Sequence, residues 1–373
     1  MTRPTVAGGD PTIAGSGPQA IFVSEYVCSG AWPDDNLDNS LAIEGRTMLL
    51  ALLRDLLRSD GGFFKANLQE AGTRNAEHKH RVASSLPLIP HSTLRTPHSA
   101  FVRTTWDDRL GDFPWSEFDS DARDRLTVLP VARSAGASPE AELGLFRREV
   151  AVADAVFVIA PEFFGILESR TRDVERLAPG RLIGCSSDAV RLCADKLALA
   201  EFLPTIGVPT IETHPFDPEQ PSVDWPLPIV IKPRDGAGST LTFRVDSDEQ
   251  LANVASQLRT DDGGFTFVQQ PFVPGAAQSG ASLISGNPAN QTITVLPTAE
   301  QRLTDDGRLH FCGISIPGAV TEHERQAAEQ LIRRCCESIA GLNGYVGFDL
   351  ISASDGVHLV EINPRLTTSW ADR

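Results

Sequence analysis

Apolar runs of strand length alternate along this chain with longer stretches that repeat apolar residues every three or four positions. Ala20–Val27, AIFVSEYV, reads as a buried strand, and Leu41–Leu57, with its clustered Leu and Met, as a helix. Leu126–Pro130 is a second short strand, Pro139–Ala153 a helix, Ala155–Ala160 an apolar strand, Phe163–Leu177 a helix and Arg181–Cys185 a short strand. Strand–helix–strand alternation of this kind predicts parallel βαβ units. Pro161-Glu162 leaves the carboxyl end of one of these strands, which is where doubly wound sheets hold ligands.

A second unit begins near Ser186. Ser187–Leu203 reads as one helix carrying Asp195 and Lys196, and Leu227–Lys232 as a strand that runs into the glycine-containing segment Pro233–Thr240. Phe265–Gln270 is a further strand. Thr321 and Glu324 form a capping box in front of a helix whose apolar face is Ala328, Leu331, Ile332, Cys335 and Ile339, ended by Gly341. Tyr345–Ala353 and Val357–Asn363 close the chain as two strands. Two stretches break the pattern. Residues 1–19 are rich in Gly, Pro, Ala and Thr and predict a disordered arm. Residues 75–125 hold scattered His, Pro, Arg and Trp with little periodicity and predict a long irregular insertion.

Composition narrows the class. At about 100–200 residues per domain, 373 residues suggest two or three domains. Lys plus Arg is 33 against 49 for Asp plus Glu, a formal charge of -16, which argues against a nucleic-acid binder because phosphate repulsion needs a basic footprint. The six cysteines form no CxxC pair and read as scattered thiols rather than a disulfide framework or zinc site. No apolar segment has the length or purity of a signal peptide or membrane span, so the expected location is the cytoplasm.

The last hairpin carries the strongest chemical signal. A three-residue loop, Ser354-Asp355-Gly356, sets a register in which Asp349 faces Glu361. Like charges directly opposed destabilise a sheet, and Asn363 lies on the same face two residues on. Two carboxylates and an amide oxygen make a hard oxygen site that suits Mg²⁺ bridging phosphates. The competing reading is a solvated face with an accidental acidic pair.

Lys232 ends an apolar strand in front of DGAGS, where glycines let backbone N–H groups approach an anion. Taken alone it reads rather as a lysine before a plain turn, and no GxxxxGK[ST] loop occurs. Lys196 reads in isolation as a solvated helix lysine. His78 and His80 read as a polar loop pair with no third ligand at a set spacing. No GxSxG, HExxH or GxGxxG match is present.

In order, these pieces form a pattern. Lys196, Lys232 with DGAGS, VQQPFVPG, and GFDLI with LVEINPR together resemble the ATP-grasp superfamily over residues 186–373. The resemblance implies ATP held between two α+β subdomains, residues 186–262 and 263–373, with Mg²⁺ (Mn²⁺ as the alternative) on the last hairpin. A carboxylate is then phosphorylated to an acyl phosphate, which an amine attacks. Carried over by position, Lys196 and Lys232 touch the nucleotide phosphates and the loop with Gly236, Gly238 and Ser239 closes over them. Gln270 and the Val273 backbone meet adenine. Asp349, Glu361 and Asn363 bind the metal, and Arg365 steadies the transferring phosphoryl group. Pro271 departs from the pattern, since many relatives carry Glu there.

SEYVCSGA, LAIEGRTML, VIAPE, ADK and EINPRLTTSW further resemble the tyramine–L-glutamate ligase family of methanofuran and methylofuran biosynthesis. That implies a Rossmann-like pre-ATP-grasp domain at residues 20–185, a γ-glutamyl amide formed on an aromatic amine, and Glu25, Glu44 and Glu162 near the substrate cleft. Twelve residues follow Glu361 where relatives usually continue, a second departure that bears on closure of the site. The expected protein is an α/β and α+β ligase of small molecules, with no nucleic-acid or membrane partner and a homodimer compatible with the sequence. The alternatives are an ATP-grasp ligase for a different amino acid or peptide, and a regulatory protein that binds ATP without turnover.

Overall fold

The computed structural model describes residues 20–33, 37, 40–58, 101–236, 239–260, 263–286, 290–304, 306–309, 311–315 and 320–371. The expected arm at residues 1–19, the pair His78 and His80, the portion 75–100 of the expected insertion, and Gly238 lie outside the described residues.

The first unit is a parallel sheet. Its elements are β1 (Ala20–Glu25), α1 (Ser40–Leu57), β2 (Phe101–Asp107), α2 (Ser120–Arg125), β3 (Leu126–Val131), α3 (Pro139–Val152), β4 (Ala155–Ile159) and α4 (Ile166–Leu177). The strand order is β3-β2-β1-β4. β1 and β4 bury almost every side chain because helices cover both faces.

Two expectations are corrected here. Residues 101–110, 115–117 and 120–125 form regular elements: β2 pairs with both β1 and β3, and Asp119 caps α2 by accepting from the Ala122 N–H at 2.8 Å. β2 hides from the apolar pattern because its buried face is partly hydroxylic, with Thr104 donating to the Val23 carbonyl at 2.9 Å. The strand expected at Arg181–Cys185 is reduced to a single parallel bridge between Leu182 and Val156.

The second unit opens with α5 (Ser187–Ala194) and α6 (Lys196–Phe202), where one helix was expected. Asp195 makes the break. Its backbone is extended, and Oδ1 accepts from the N–H groups of Leu197 and Ala198, both at 3.1 Å, so it ends one helix and caps the next. A small antiparallel sheet follows, built from β5 (His214–Phe216), β6 (Ile229–Pro233), β7 (Phe243–Val245) and β8 (Phe267–Pro271) in the order β5-β8-β6-β7. Helix α7 (Asp248–Thr260) lays Leu251, Val254, Ala255 and Leu258 on it.

The third unit is a larger antiparallel sheet: β9 (Gly275–Ser285), β10 (Thr292–Leu303), β11 (Phe311–Ser315), β12 (Gly344–Ala353) and β13 (Gly356–Asn363), ordered β11-β10-β9-β12-β13. Helix α8 (Glu322–Ser338) has the expected capping box and buries Ala328, Ile332, Cys335 and Cys336 on the sheet. Gly280 of β9 permits that contact, since a Cβ there would lie 2.5 Å from Ile332 Cδ1. A short α9 (Thr368–Ala371) packs on α1 and ends the described chain. Leu283, Tyr345 and Leu366 join one apolar cluster with Ile21, Leu49 and Phe157, so the first and third units share a core. Among the described residues no helix is long and apolar enough to cross a membrane.

Candidate active site

The small sheet, the large sheet and the start of α1 enclose a cleft of about 410 Å³. Lys196, Lys232, Gly236, Ser239, Gln270, Val273, Asp349, Glu361, Asn363, Arg365 and Glu44 all line it. Residues from five separate segments, counting the last hairpin as one, thus converge.

Lys232 is the fourth residue of β6 and is buried. Burial pushes its ammonium down to about 8, against the pull of Glu361; the Lys196 charge adds to the fall. Lys196 is not a mid-helix surface lysine. It is the first residue of α6, is buried, and its Nζ donates to the Gly236 carbonyl at 3.0 Å and pairs with Glu361 Oε1 at 3.2 Å. Its placement follows from Asp195, which also accepts from Arg234 Nε at 2.7 Å, while the Lys196 N–H donates to the Arg234 carbonyl at 3.0 Å. This clamp fixes α6 to the segment after β6. The Asp195–Arg234 pair was not foreseen from the sequence, because Ser187–Leu203 reads there as one unbroken helix.

Asp349 and Glu361 are a directly opposed pair of β12 and β13. Burial pushes Asp349 up to about 6, and the facing Glu361 charge adds to the rise. Its Oδ2 accepts from Asn363 Nδ2 at 3.0 Å and its Oδ1 from Gln301 Nε2 at 2.6 Å. Gln301, from β10, is a site residue that sequence reasoning missed, because nothing in its own segment announces that β10 crosses the cleft. The donor set of two carboxylates and an amide oxygen is all hard oxygen and fits Mg²⁺. A bound cation would also relieve the repulsion of the facing carboxylates.

Ile211, Val230 and Leu350 give the cleft apolar walls. Gln270 is buried and donates through Nε2 to Thr213 Oγ1 at 2.7 Å. Pro271 and Val273 also line the cleft, as does Arg244, whose guanidinium lies 4.2 Å over the Phe272 ring.

The three first-unit glutamates are not equivalent. Glu44 lines the cleft, and burial raises its carboxyl despite the opposing charge of Arg365. Glu25 does not line it. Its carboxylate lies under Gly45, where a Cβ would come within 2.6 Å of Oε1, and it accepts from the Cys28 N–H at 2.6 Å. Glu162 is buried with Oε1 2.7 Å from Arg365 Nε.

A model described as an ATP-grasp domain matches residues 193–369, and one described as a pre ATP-grasp 3 domain matches residues 101–190. The chain thus carries a pre-ATP-grasp domain followed by an ATP-grasp domain. Among named relatives, it is similar to the tyramine–L-glutamate ligase of Methanocaldococcus fervens, at 27% identity over 223 residues, 58% of this chain and 60% of the relative. It is also similar to the glutathione synthetase of Bordetella parapertussis, at 25% identity over 243 residues, 64% of this chain and 71% of that protein. The match thus spans about three fifths of the length of the ligase relative. Among solved structures, an ATP-grasp superfamily protein from Archaeoglobus fulgidus aligns with TM-score 0.59 and 19% identity, covering 94% of this chain and 82% of that one. The L-amino acid ligase of Bacillus licheniformis aligns with TM-score 0.55 and 15% identity, covering 93% and 67%. These likenesses establish the fold.

Proposed function

We propose that this protein is an ATP- and Mg²⁺-dependent carboxylate–amine ligase. The observation that carries the reading is one cleft in which two buried lysines face the opposed carboxylates Asp349 and Glu361, with Arg365 alongside. Lys196 and Lys232 supply charge for the phosphates, the segment at Gly236 and Ser239 supplies backbone donors, and Arg365 holds the transferring phosphoryl group. Asp349, Glu361 and Asn363 would hold Mg²⁺, which when bound neutralises phosphate charge.

An oxygen of the substrate carboxylate attacks the γ-phosphorus, and the bond to the ADP oxygen breaks. The amine nitrogen then attacks the acyl carbon, the bond to phosphate breaks, and the nitrogen loses a proton. Catalysis of this kind is mainly positioning and charge neutralisation.

For the substrates, the reading is the γ-carboxylate of glutamate joined to tyramine or a related aromatic amine, in the synthesis of a methanofuran-type cofactor. The similarity to two proteins named tyramine–L-glutamate ligase supports it. The glutathione synthetase similarity favours a second reading, a ligase for another amino acid or a peptide.

The test is ADP release from pairs of acids and amines, with hydroxylamine as a substitute nucleophile. Glutamate γ-hydroxamate with ADP is the expected product. AMP and pyrophosphate would overturn the mechanism. A hydroxamate of a different acid would leave the ligase class standing and remove glutamate.

A further inference from the structure

Glu162 stands in the loop that leaves β4, on the first unit, while Arg365 follows β13 on the third. They meet across the boundary at 2.7 Å, with Glu162 3% exposed. The Nε–H does not point along this contact, so charge rather than a directed hydrogen bond holds it. No described donor reaches Glu162 Oε2 either. A buried carboxylate satisfied this thinly is costly, and an apolar residue of similar volume would serve the fold as well or better.

The loop around it is rigidly held. The Phe164 N–H donates to Asp235 Oδ2 at 2.9 Å, and the Phe164 ring packs 4.6 Å from Phe265. Phe164 adopts φ +54°, a left-handed conformation that a non-glycine residue keeps when its surroundings enforce it. Asp235 belongs to the segment with Gly236, so this loop of the first unit touches both walls of the cleft: the glycine segment through Phe164 and Arg365 through Glu162.

The guanidinium is oriented accordingly. Its Nε edge faces Glu162, its Nη1 donates to the Leu366 carbonyl at 3.0 Å, and no described residue accepts from Nη2. Arg365 lines the cleft, and the other acidic groups facing it are Glu44 and Glu361. We infer that Glu162 is a positioning residue, which turns Arg365 so that its free Nη2 edge meets the transferring phosphoryl group; this rests on the ligase reading above. Glu162 would then act on the phosphoryl step and not on the amine.

The test uses Glu162→Gln, Arg365→Gln and the double variant in the full chain. Glu162→Gln is expected to lower kcat by about 10- to 100-fold, with Mg-ATP affinity held within about twofold and the melting temperature close to wild type. The loss should appear equally with hydroxylamine as nucleophile, and Glu162→Gln should cost nothing further when Arg365 is already Gln. Wild-type kcat in folded Glu162→Gln would overturn the inference. So would a loss confined to the KM of the amine, or losses that multiply in the double variant. If Glu162→Gln does not fold, Glu162→Asp keeps the charge but withdraws the carboxylate, and a smaller loss of the same kind is expected.

A second readout needs no turnover. The NMR signal of Arg365 Nε–H should move when a non-hydrolysable Mg-ATP analogue binds wild type and stay put in Glu162→Gln. An identical response in the two proteins, or none in wild type, overturns the inference. If no acid–amine pair yields ADP, the ligase reading falls while this comparison still decides the role of Glu162.

Discussion

Asp349 faces Glu361 because Val360 is an extra residue in β13: Leu350 pairs with Leu359, and the next pair along is Asp349 with Glu361. The turn joins Ala353 to Gly356 through two residues, one fewer than the loop read from the sequence. That shorter loop alone would place Asp349 opposite Val360. The bulge restores the lost residue, so the expected pair forms by a different route. Val360 and Glu361 consequently both line the cleft, as a bulge that re-aims a side chain at a functional site would do.

Removing the Asp349 charge should therefore separate stability from activity. The folded state raises the Asp349 carboxyl to about 6 from an ordinary value of 3.8. A raised folded value favours folding while the group is protonated, and that contribution is lost as pH climbs through 6. In metal-free protein, Asp349→Asn should gain about 2–3 kcal/mol over wild type at pH 8 and nothing near pH 4. Thermal melts in chelator at the two pH values check the sign. Turnover with Mg-ATP should fall at least 100-fold in both Asp349→Asn and Glu361→Gln. Equal melts at pH 8 would mean that the pair is solvated and unstrained.

Lys232 gives a proton-linkage prediction. Burial lowers its ammonium to about 8, so a growing share is neutral above that pH. A phosphate beside it favours the charged form, so nucleotide binding at pH 8.5–9 should take up a proton and weaken as pH rises further. Calorimetry in buffers of different ionisation enthalpy would measure the uptake. Lys232→Met should bind nucleotide about tenfold or more weakly and lose the pH-linked uptake while keeping its fold.

Legibility in the sequence followed side-chain size and range of contact. β4 and the hairpin strands were readable because AVFVI and GFDLI carry bulky apolar residues with local turn signals. β9 was not, since Ala276, Ala277, Ser279, Gly280, Ala281 and Ser282 are small and mimic a loop composition. They are small because β9 is the central strand of its sheet, with β10 and β12 on either side and Ile332 of α8 pressing on Gly280. The residues of the cleft that form motifs were visible one by one. Gln301 and the Glu162–Arg365 contact were not, because each depends on which strands end beside one another, and no local spacing encodes that.

Asp195 shows the same gap between local and long-range signals. It caps α6 and clamps Arg234, so it holds Lys196 at the cleft by two kinds of contact. Both partners are partly exposed, which limits the ion pair's share. Asp195→Ala should cost about 1–2 kcal/mol, mostly as the lost cap. Because the cap fixes the start of α6, the same variant should weaken nucleotide binding more than Arg234→Ala does. Parallel urea melts and nucleotide titrations of the two variants test this, and equal affinities would reduce Asp195 to a stabilising cap.

Gly347 gives the sharpest steric prediction. It pairs with Asn363 on the floor of the cleft, and a Cβ there would lie 2.6 Å from Thr367 Cγ2 and 3.3 Å from Asn363 Cβ. Neither neighbour can yield freely. Thr367 is tied through Oγ1 to the Tyr345 hydroxyl at 2.9 Å and to Ser369 Oγ at 2.8 Å, and Asn363 holds Asp349. Gly347→Ala should cost about 1–3 kcal/mol by overpacking and displace Asn363, so that Mg²⁺-dependent turnover falls more than stability alone accounts for. Gly280→Ala is the control, since its Cβ would press on Ile332 in the core and touch Leu350 Cδ1 at 3.4 Å, but reach none of Asp349, Glu361 and Asn363. The two variants should lose similar stability, with only Gly347→Ala needing a higher Mg²⁺ concentration for half-maximal rate. If both respond to Mg²⁺ as wild type does, the floor of the cleft is not where Asn363 acts.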